Sequence, residues 1–146
     1  PIGGFCSSKK IMDSLSFNPK LGHISTFGGN PVIASASYAA IRELYNKKLM
    51  DKIYSKEMLF RKYLKHPLIE KINGRGLMLA LIMRKSSIAD FVIKNCLKNG
   101  LILFWLLWEK KAVRITPPLT ITNNNIKLGC QIIINTLNKY QSRFVN

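Results

Sequence analysis

Residues 22–31 read Gly-His-Ile-Ser-Thr-Phe-Gly-Gly-Asn-Pro, and the stretch ends where a helix should begin. Asn30 suits an N-cap because its side-chain oxygen can accept a hydrogen bond from an amide of the first turn. Pro31 suits the first helical position, where its missing N–H would have no partner within the helix. We therefore predict a helix that starts at Pro31.

The same stretch carries the parts of an anion site. The hydroxyl pair Ser25 and Thr26 precedes two glycines and a helix N-terminus, whose unpaired amides and dipole favour a phosphate. The alternative is an ordinary glycine turn before a capped helix. Because the stretch is neither a Walker loop nor G-x-G-x-x-G, its residues alone leave both interpretations open.

The predicted helix changes character along its length. Residues 34–40 are mostly alanine and serine, and such small side chains let another backbone approach closely, so we expect this part to be buried against a larger body. After Tyr45 the pattern becomes amphipathic. Asp51 is the predicted cap of a second helix, which Pro67 should end.

The rest of the chain, from about residue 50 onward, has the pattern of a compact α+β unit. Strands are predicted from residue 68, at 77–83, at 101–108 and at 112–115. Helices are predicted at 87–97, where Asn99-Gly100 should stop the helix, and after the cap residue Thr122. Residues 2–7 are short and apolar, which favours one further, buried strand near the start.

Arg114 is the second candidate functional residue. It lies in the apolar strand Val113-Arg114-Ile115, directly before Thr116-Pro117-Pro118. An arginine among residues that should be buried or half-buried needs a partner, and its planar fork matches a carboxylate. The partner is either a ligand carboxylate or an acidic side chain of the chain itself, of which there are only seven.

The apolar run at 101–108 contains Trp105 and Trp108. Tryptophans can stack on nucleic-acid bases, but in such a run they are more typical of a core or an interface. No Ser/His/Asp or Cys/His arrangement and no carboxylate pair for acid–base chemistry is visible.

The net charge of +16, from 23 Lys and Arg against 7 Asp and Glu, suggests a polyanion as partner. However, Ile, Lys and Asn supply 47 of the 146 residues, and all three have A/T-rich codons. Selection for phosphate contacts would not enrich isoleucine and would keep more arginine. We favour compositional drift, and keep a basic nucleic-acid-binding module as the alternative.

The cysteine and hydropathy patterns argue against several classes of protein. Cys6, Cys96 and Cys130 are odd in number and far apart, which predicts no disulfide framework and no metal site, and favours reduced thiols in the cytosol. The longest apolar run has eight residues, whereas a membrane-spanning helix needs about 20. The apolar opening without an initiator Met suggests a piece of a longer protein.

Four ordered segments resemble the class III pyridoxal-phosphate-dependent aminotransferases, the acetylornithine and ornithine aminotransferase family. The first resemblance is GHISTFGGNP with its alanine-rich helix. Residues 1–12, PIGGFCSSKKIM, are similar to the segment after the family's active-site lysine. Residues 72–81, INGRGLMLAL, and residues 113–122, VRITPPLTIT, are similar to a small-domain strand and to the family's R-x-x-P-P-L motif.

The resemblance implies an α/β fold, the PLP-dependent transferase fold type I. Residues 1–49 would be the end of the PLP-binding large domain with an interdomain helix, and residues 50–146 the small C-terminal α+β domain. It implies a homodimer in which Thr26, with Ser25 beside it, binds the phosphate of pyridoxal 5'-phosphate in the neighbouring subunit. It implies that Arg114 binds the α-carboxylate of the amino-acid and 2-oxoacid substrates.

The implied reaction moves an ω-amino group, of N-acetylornithine or a similar donor, to 2-oxoglutarate in the cytoplasm. An ornithine or 4-aminobutyrate enzyme is the alternative within the family, and a non-catalytic remnant is another. The family's Schiff-base lysine is expected upstream of Pro1, so none of the 17 lysines takes that role. The chain by itself is therefore expected to be inactive.

Overall fold

The structure, a computed structural model, describes residues 2–18, 20 and 24–144. The chain divides into two compact units, Pro1–Lys47 and Lys48–Asn146. The assignment of residues 1–49 and 50–146 to a large and a small domain stays a prediction. Within the described part of the chain, no helix combines the length and the apolar character needed to cross a membrane.

The first unit contains two helices, α1 at Lys9–Asp13 and α2 at Pro31–Asn46. The predicted start of α2 is confirmed: the side-chain oxygen of Asn30 accepts hydrogen bonds from the amides of Val32 at 3.0 Å and Ile33 at 3.2 Å. No residue of α2 is buried within this chain.

The strand predicted at residues 2–7 is wrong. These residues are irregular and exposed, and the described part of the first unit contains no strand with which they could pair. A strand alone leaves its backbone amides and carbonyls without partners, so apolar composition is not enough to form one. Of the stretch at 22–31, Gly22 and His23 lie outside the described residues.

The second unit is a four-stranded antiparallel sheet with helices against one face. Its elements are a 3₁₀ turn at Leu49–Lys52, α3 at Ile53–Tyr63, β1 at Ile69–Arg75, β2 at Met78–Met83, α4 at Ser86–Lys98, β3 at Phe104–Trp105, β4 at Ala112–Ile115 and α5 at Asn123–Phe144. The strand order is β1-β2-β4-β3. The α+β pattern predicted from residue 50 onward is confirmed in these elements.

The core lies between the sheet and the helices. In β2 and β4, the pairs Leu79–Ile115 and Leu81–Val113 are buried, while the alternate pair Ala80–Arg114 points to the other face. This alternation follows from the two-residue period of a strand. Helix α4 packs on β2, β3 and β4, and α5 packs on α3 and α4.

Two helix boundaries follow the local signals in the sequence. Helix α4 ends at the predicted Asn99-Gly100 stop, where Gly100 has a φ of +79°. Helix α5 begins after Thr122, whose hydroxyl accepts a hydrogen bond from the Asn125 amide at 3.2 Å. The cap predicted at Asp51 is wrong, because this residue lies inside a 3₁₀ turn that runs directly into α3.

The strand predicted at 101–108 is also wrong in its extent. Only Phe104 and Trp105 pair with β4, and the chain then leaves the sheet. Trp108 is 97% exposed, so of the two places expected for it, a core or an interface, the core is not found among the described residues, and the interface stays a prediction. A run of apolar residues forms a strand only where a neighbouring strand is long enough to pair with it, and β4 has four residues.

Candidate functional site

Arg114 lies in the middle of β4, opposite Ala80 of β2 and opposite Phe104 of β3. Its side chain is exposed, whereas its neighbours Val113 and Ile115 are buried, as the apolar strand pattern predicted. The reason is strand alternation: Val113 and Ile115 face the helices, and the residue between them faces away.

The guanidinium of Arg114 has no acidic partner among the described residues. The ion pairs of the described chain join Lys9 to Asp13, Lys47 to Glu43 and Arg61 to Glu57. The contact recorded for Arg114 is with the ring of Phe104, whose centroid lies 5.0 Å from its Cζ. The structural salt bridge, one of the two alternatives for this residue, is therefore absent from residues 2–18, 20 and 24–144.

A groove of about 690 Å³ lies over the face of the sheet to which Arg114 points. Its lining includes Met78, Ala80, Ala112 and Thr116 together with Arg114. A second cavity of about 390 Å³, lined mainly by apolar side chains and the loop at 115–118, also reaches Arg114. The arginine thus presents five N–H donors to space that a small carboxylate can enter.

Lys56 ties α3 to the loop that follows Arg114. Its ammonium nitrogen donates a hydrogen bond to the carbonyl oxygen of Leu119 at 2.5 Å, and only 8% of the residue is exposed. The loop contains Pro117 and Pro118, which have no backbone N–H to donate to a neighbouring strand. The sequence pattern gives no signal for this role of Lys56, because its partner lies 63 residues away.

Glu57 and Arg61 hold the β1–β2 hairpin against α3. Glu57 accepts a hydrogen bond from the amide of Gly76 at 2.6 Å and another from Nε of Arg61 at 2.8 Å. The two remaining guanidinium nitrogens donate to the carbonyls of Ile72 and Gly74. The Gly76 amide, and after it Arg61, hold the pKa of Glu57 below its ordinary value.

Ser25 and Thr26 lie in the first unit, in the turn before α2. Both are exposed, and neither hydroxyl has a hydrogen-bond partner among the described residues. Ser25 lines a shallow cavity of about 240 Å³ with Gly28 and Asn30, whereas Thr26 does not line it. A side chain at Gly28 would come within 2.8 Å of the Ser25 hydroxyl, so glycine leaves that oxygen room.

The structure changes which groups can bind a phosphate here. The expectation of unpaired amides at the start of α2 is wrong, because Asn30 takes the amides of Val32 and Ile33, and Pro31 has none. The hydroxyls of Ser25 and Thr26 remain as donors. An anion bound here would contact these side-chain hydroxyls rather than the amides of the first helical turn.

Trp105 and the cysteines are the remaining candidate side chains from the sequence. The indole N–H of Trp105 donates to Asp90 at 2.7 Å. All three cysteines are free, and burial raises the pKa of the Cys130 thiol to about 12. Among the residues that the structure describes, no three His, Cys, Asp or Glu side chains are grouped to hold a metal ion.

Comparison with known proteins agrees with the segments singled out above. The family model of class-III aminotransferases matches residues 1–137. An acetylornithine aminotransferase of Haemophilus ducreyi is 33% identical over 141 residues, which are 95% of this chain and 34% of the relative. A putrescine aminotransferase of Pectobacterium atrosepticum is 33% identical over 130 residues, 84% of this chain and 27% of the relative.

Solved structures share the fold. The ornithine aminotransferase of Toxoplasma gondii, which has partial occupancy of PLP at its active site, superposes with a TM-score of 0.78 at 28% identity. The match covers 91% of this chain and 32% of that one. The chain thus spans about a third or less of the length of these relatives. It belongs to the class-III aminotransferases and has the α/β fold of the fold-type-I transferases.

Proposed function

We propose that this chain is the C-terminal part of a dimeric, cytosolic aminotransferase that uses pyridoxal 5'-phosphate. The complete enzyme would transfer the ω-amino group of N-acetylornithine, or of a similar donor, to 2-oxoglutarate. The observation that carries the proposal is Arg114, an exposed guanidinium over a groove, without an acidic partner in the described chain. Membership of the class-III family supports the reaction type.

In this proposal Arg114 binds and orients the α-carboxylate of the substrates. A guanidinium donates two parallel N–H···O bonds to a carboxylate, which fixes the direction of the bound molecule as well as its position. Since an amino acid and a 2-oxoacid both carry an α-carboxylate, the same side chain serves both halves of the reaction. The groove beside it offers room for the rest of the substrate.

Ser25 and Thr26 are the proposed phosphate ligands, with Thr26 reaching the cofactor of the neighbouring subunit. Their exposed hydroxyls, which have no hydrogen-bond partner among the described residues, and the space at Gly28 support this role. When bound, pyridoxal 5'-phosphate supplies the electron sink for the substrate carbon. The lysine that holds it is proposed to lie upstream of Pro1, so the 146-residue chain alone should not transaminate.

The donor is the least constrained part of the proposal. Ornithine is an alternative because an ornithine aminotransferase is among the similar structures. Putrescine, the donor named for another relative, is a diamine without a carboxylate. Arg114 could then bind only the 2-oxoacid, and this difference can be measured.

The test replaces Arg114 in the complete enzyme. Loss of hydrogen bonds to a charged group costs about 1.5–3 kcal/mol, so Arg114→Ala should raise KM roughly ten- to a hundredfold. A rise for both amino donor and 2-oxoglutarate indicates an amino-acid donor, whereas a rise for the 2-oxoacid alone indicates a diamine. Arg143→Ala, which removes an equal charge from the exposed last turn of α5, is the matched control.

Cofactor retention gives an independent measurement. Thr26→Ala should increase the dissociation constant of pyridoxal 5'-phosphate by roughly tenfold, because one hydrogen bond to a charged oxygen is lost. Thr26→Ser keeps the hydroxyl and should retain the cofactor. The proposed site assignments fail if Arg114→Ala leaves both KM values unchanged and Thr26→Ala leaves retention unchanged.

A further inference from the structure

Phe104 is an exposed aromatic residue that lies directly opposite Arg114 in the sheet. It is 54% exposed, although it lies in the apolar run predicted as a strand. It is one of only two residues of β3, and its direct cross-strand neighbour in β4 is Arg114. Side chains at directly opposite positions of an antiparallel pair lie on the same face, with Cβ atoms about 5 Å apart.

The ring of Phe104 lies against the guanidinium of Arg114. The guanidinium carbon is 5.0 Å from the ring centroid, within the range of a cation–π contact. A guanidinium that stacks on a ring through its face keeps its N–H bonds in its own plane, pointing away from the ring. The fork of Arg114 makes no hydrogen bond or ion pair with the described residues, so it is available to a ligand.

Arg61 shows what an arginine in a purely structural role looks like in this chain. Its Nε, Nη1 and Nη2 atoms donate to Glu57, Ile72 and Gly74, so the fork is filled. Arg114 has neither an ion pair nor a recorded hydrogen bond to any described residue. The aromatic contact is what restrains its long side chain within the described chain.

We infer that Phe104 is a positioning residue, a platform that holds Arg114 ready to bind a substrate carboxylate. The inference rests on the proposed role of Arg114. An unrestrained arginine loses rotamer entropy when it is immobilised. A ring that restrains the guanidinium beforehand reduces that loss and fixes the direction of the fork.

Kinetics of the complete enzyme test the platform. An exposed cation–π contact contributes about 0.5–1 kcal/mol, so Phe104→Leu should raise KM for carboxylate substrates roughly two- to fivefold, with kcat unchanged. Phe104→Tyr keeps the ring face and should restore the wild-type KM. Phe91→Leu is the control: Phe91 packs on Tyr140 between α4 and α5, so its replacement should lower stability without raising KM.

The outcomes separate this inference from the proposed function. If Arg114→Ala raises KM but Phe104→Leu does not, the platform is refuted and the carboxylate site stands. If Phe104→Tyr raises KM as much as Phe104→Leu does, the ring face is not the cause and the inference is again refuted. If Arg114→Ala itself has no effect, the proposed function fails first.

In the wild-type chain, a spectroscopic readout tests the contact without depending on the folding of a variant. Protons over the face of an aromatic ring are shifted upfield, so the Cδ and Nε protons of Arg114 in the wild-type 146-residue chain should resonate upfield of those of Arg143. Phe104→Leu should abolish that shift and Phe104→Tyr should keep it. Arg114 resonances without an upfield shift in the wild-type chain would overturn the inference.

Discussion

At the scale of single residues, Glu57 is the carboxylate whose chemistry is most changed by the fold. The amide of Gly76, and then Arg61, lower its pKa in the folded chain. A folded-state pKa below the unfolded value means that the folded chain binds this proton less readily. Ionised Glu57 therefore stabilises the fold above its ordinary pKa, and this contribution is lost as the pH falls through the folded-state pKa.

Glu57→Gln should remove that pH-dependent contribution. We expect the free energy of unfolding at neutral pH to fall by about 1 kcal/mol or more, because hydrogen bonds to a charged group are weakened. Towards acidic pH the difference from wild type should shrink, since wild-type Glu57 is then also neutral. Urea unfolding between neutral pH and pH ~3 measures the effect across the titration range of a carboxyl group.

Glu43→Gln is the matched control for Glu57→Gln. Glu43 makes an exposed ion pair with Lys47 one helical turn away, and such pairs contribute less than about 1 kcal/mol. Its replacement should leave the pH dependence of stability nearly unchanged. A Glu57→Gln profile parallel to wild type at all pH values would contradict the assigned cause.

At the scale of elements, the β1–β2 hairpin depends on backbone conformations that favour glycine. Gly74 has a φ of +101°, and a side chain there would place its Cβ 2.0 Å from the carbonyl oxygen of Met78. Gly100, after α4, also has a positive φ, of +79°, but a Cβ there meets nothing within 4 Å. A side chain at Gly74 therefore causes both a clash and backbone strain, whereas a side chain at Gly100 causes backbone strain alone.

Gly74→Ala should destabilise the second unit by at least about 2 kcal/mol, because both strain and a clash with backbone arise. Gly100→Ala should cost only about 1 kcal/mol, the strain of a left-handed residue. Urea unfolding of both variants measures the two losses. Equal losses of stability in the two variants would contradict the close approach of Gly74 to the carbonyl oxygen of Met78.

At the scale of the whole molecule, the net charge is +16, and most of the described basic side chains make no ion pair. The described residues make three ion pairs, whereas the chain has 23 Lys and Arg side chains. Such a surface attracts polyanions without reading their sequence. We propose that this attraction is non-specific and not the function of the chain.

Two unrelated DNA duplexes should bind the chain with equal affinity, and the affinity should fall steeply between ~50 and ~200 mM salt. Fluorescence anisotropy with heparin as competitor measures both properties. Strong preference for one duplex that persists at the higher salt concentration would favour the nucleic-acid-binding alternative. Weak binding that disappears would leave compositional drift as the explanation of the charge.

The sequence by itself was sufficient where the signal is local. Asn30 and Thr122 were predicted as helix caps and Asn99-Gly100 as a helix stop, because a cap or a stop depends on backbone groups within about four residues. The local chemistry of residues 22–31 and 113–118 was enough to predict Arg114, Ser25 and Thr26 as candidates, and the resemblance to known motifs supplied the roles expected of them. These features need no knowledge of distant parts of the chain.

Only the tertiary structure decided what depends on distant partners. It showed that the strand at residues 101–108 shortens to two residues, and that Lys56 reaches a carbonyl 63 residues away. It also placed the ring of Phe104 against the guanidinium of Arg114. The physical reason is that strand pairing, burial and side-chain contacts are set by neighbours in space, whereas the pattern of a sequence records neighbours along the chain.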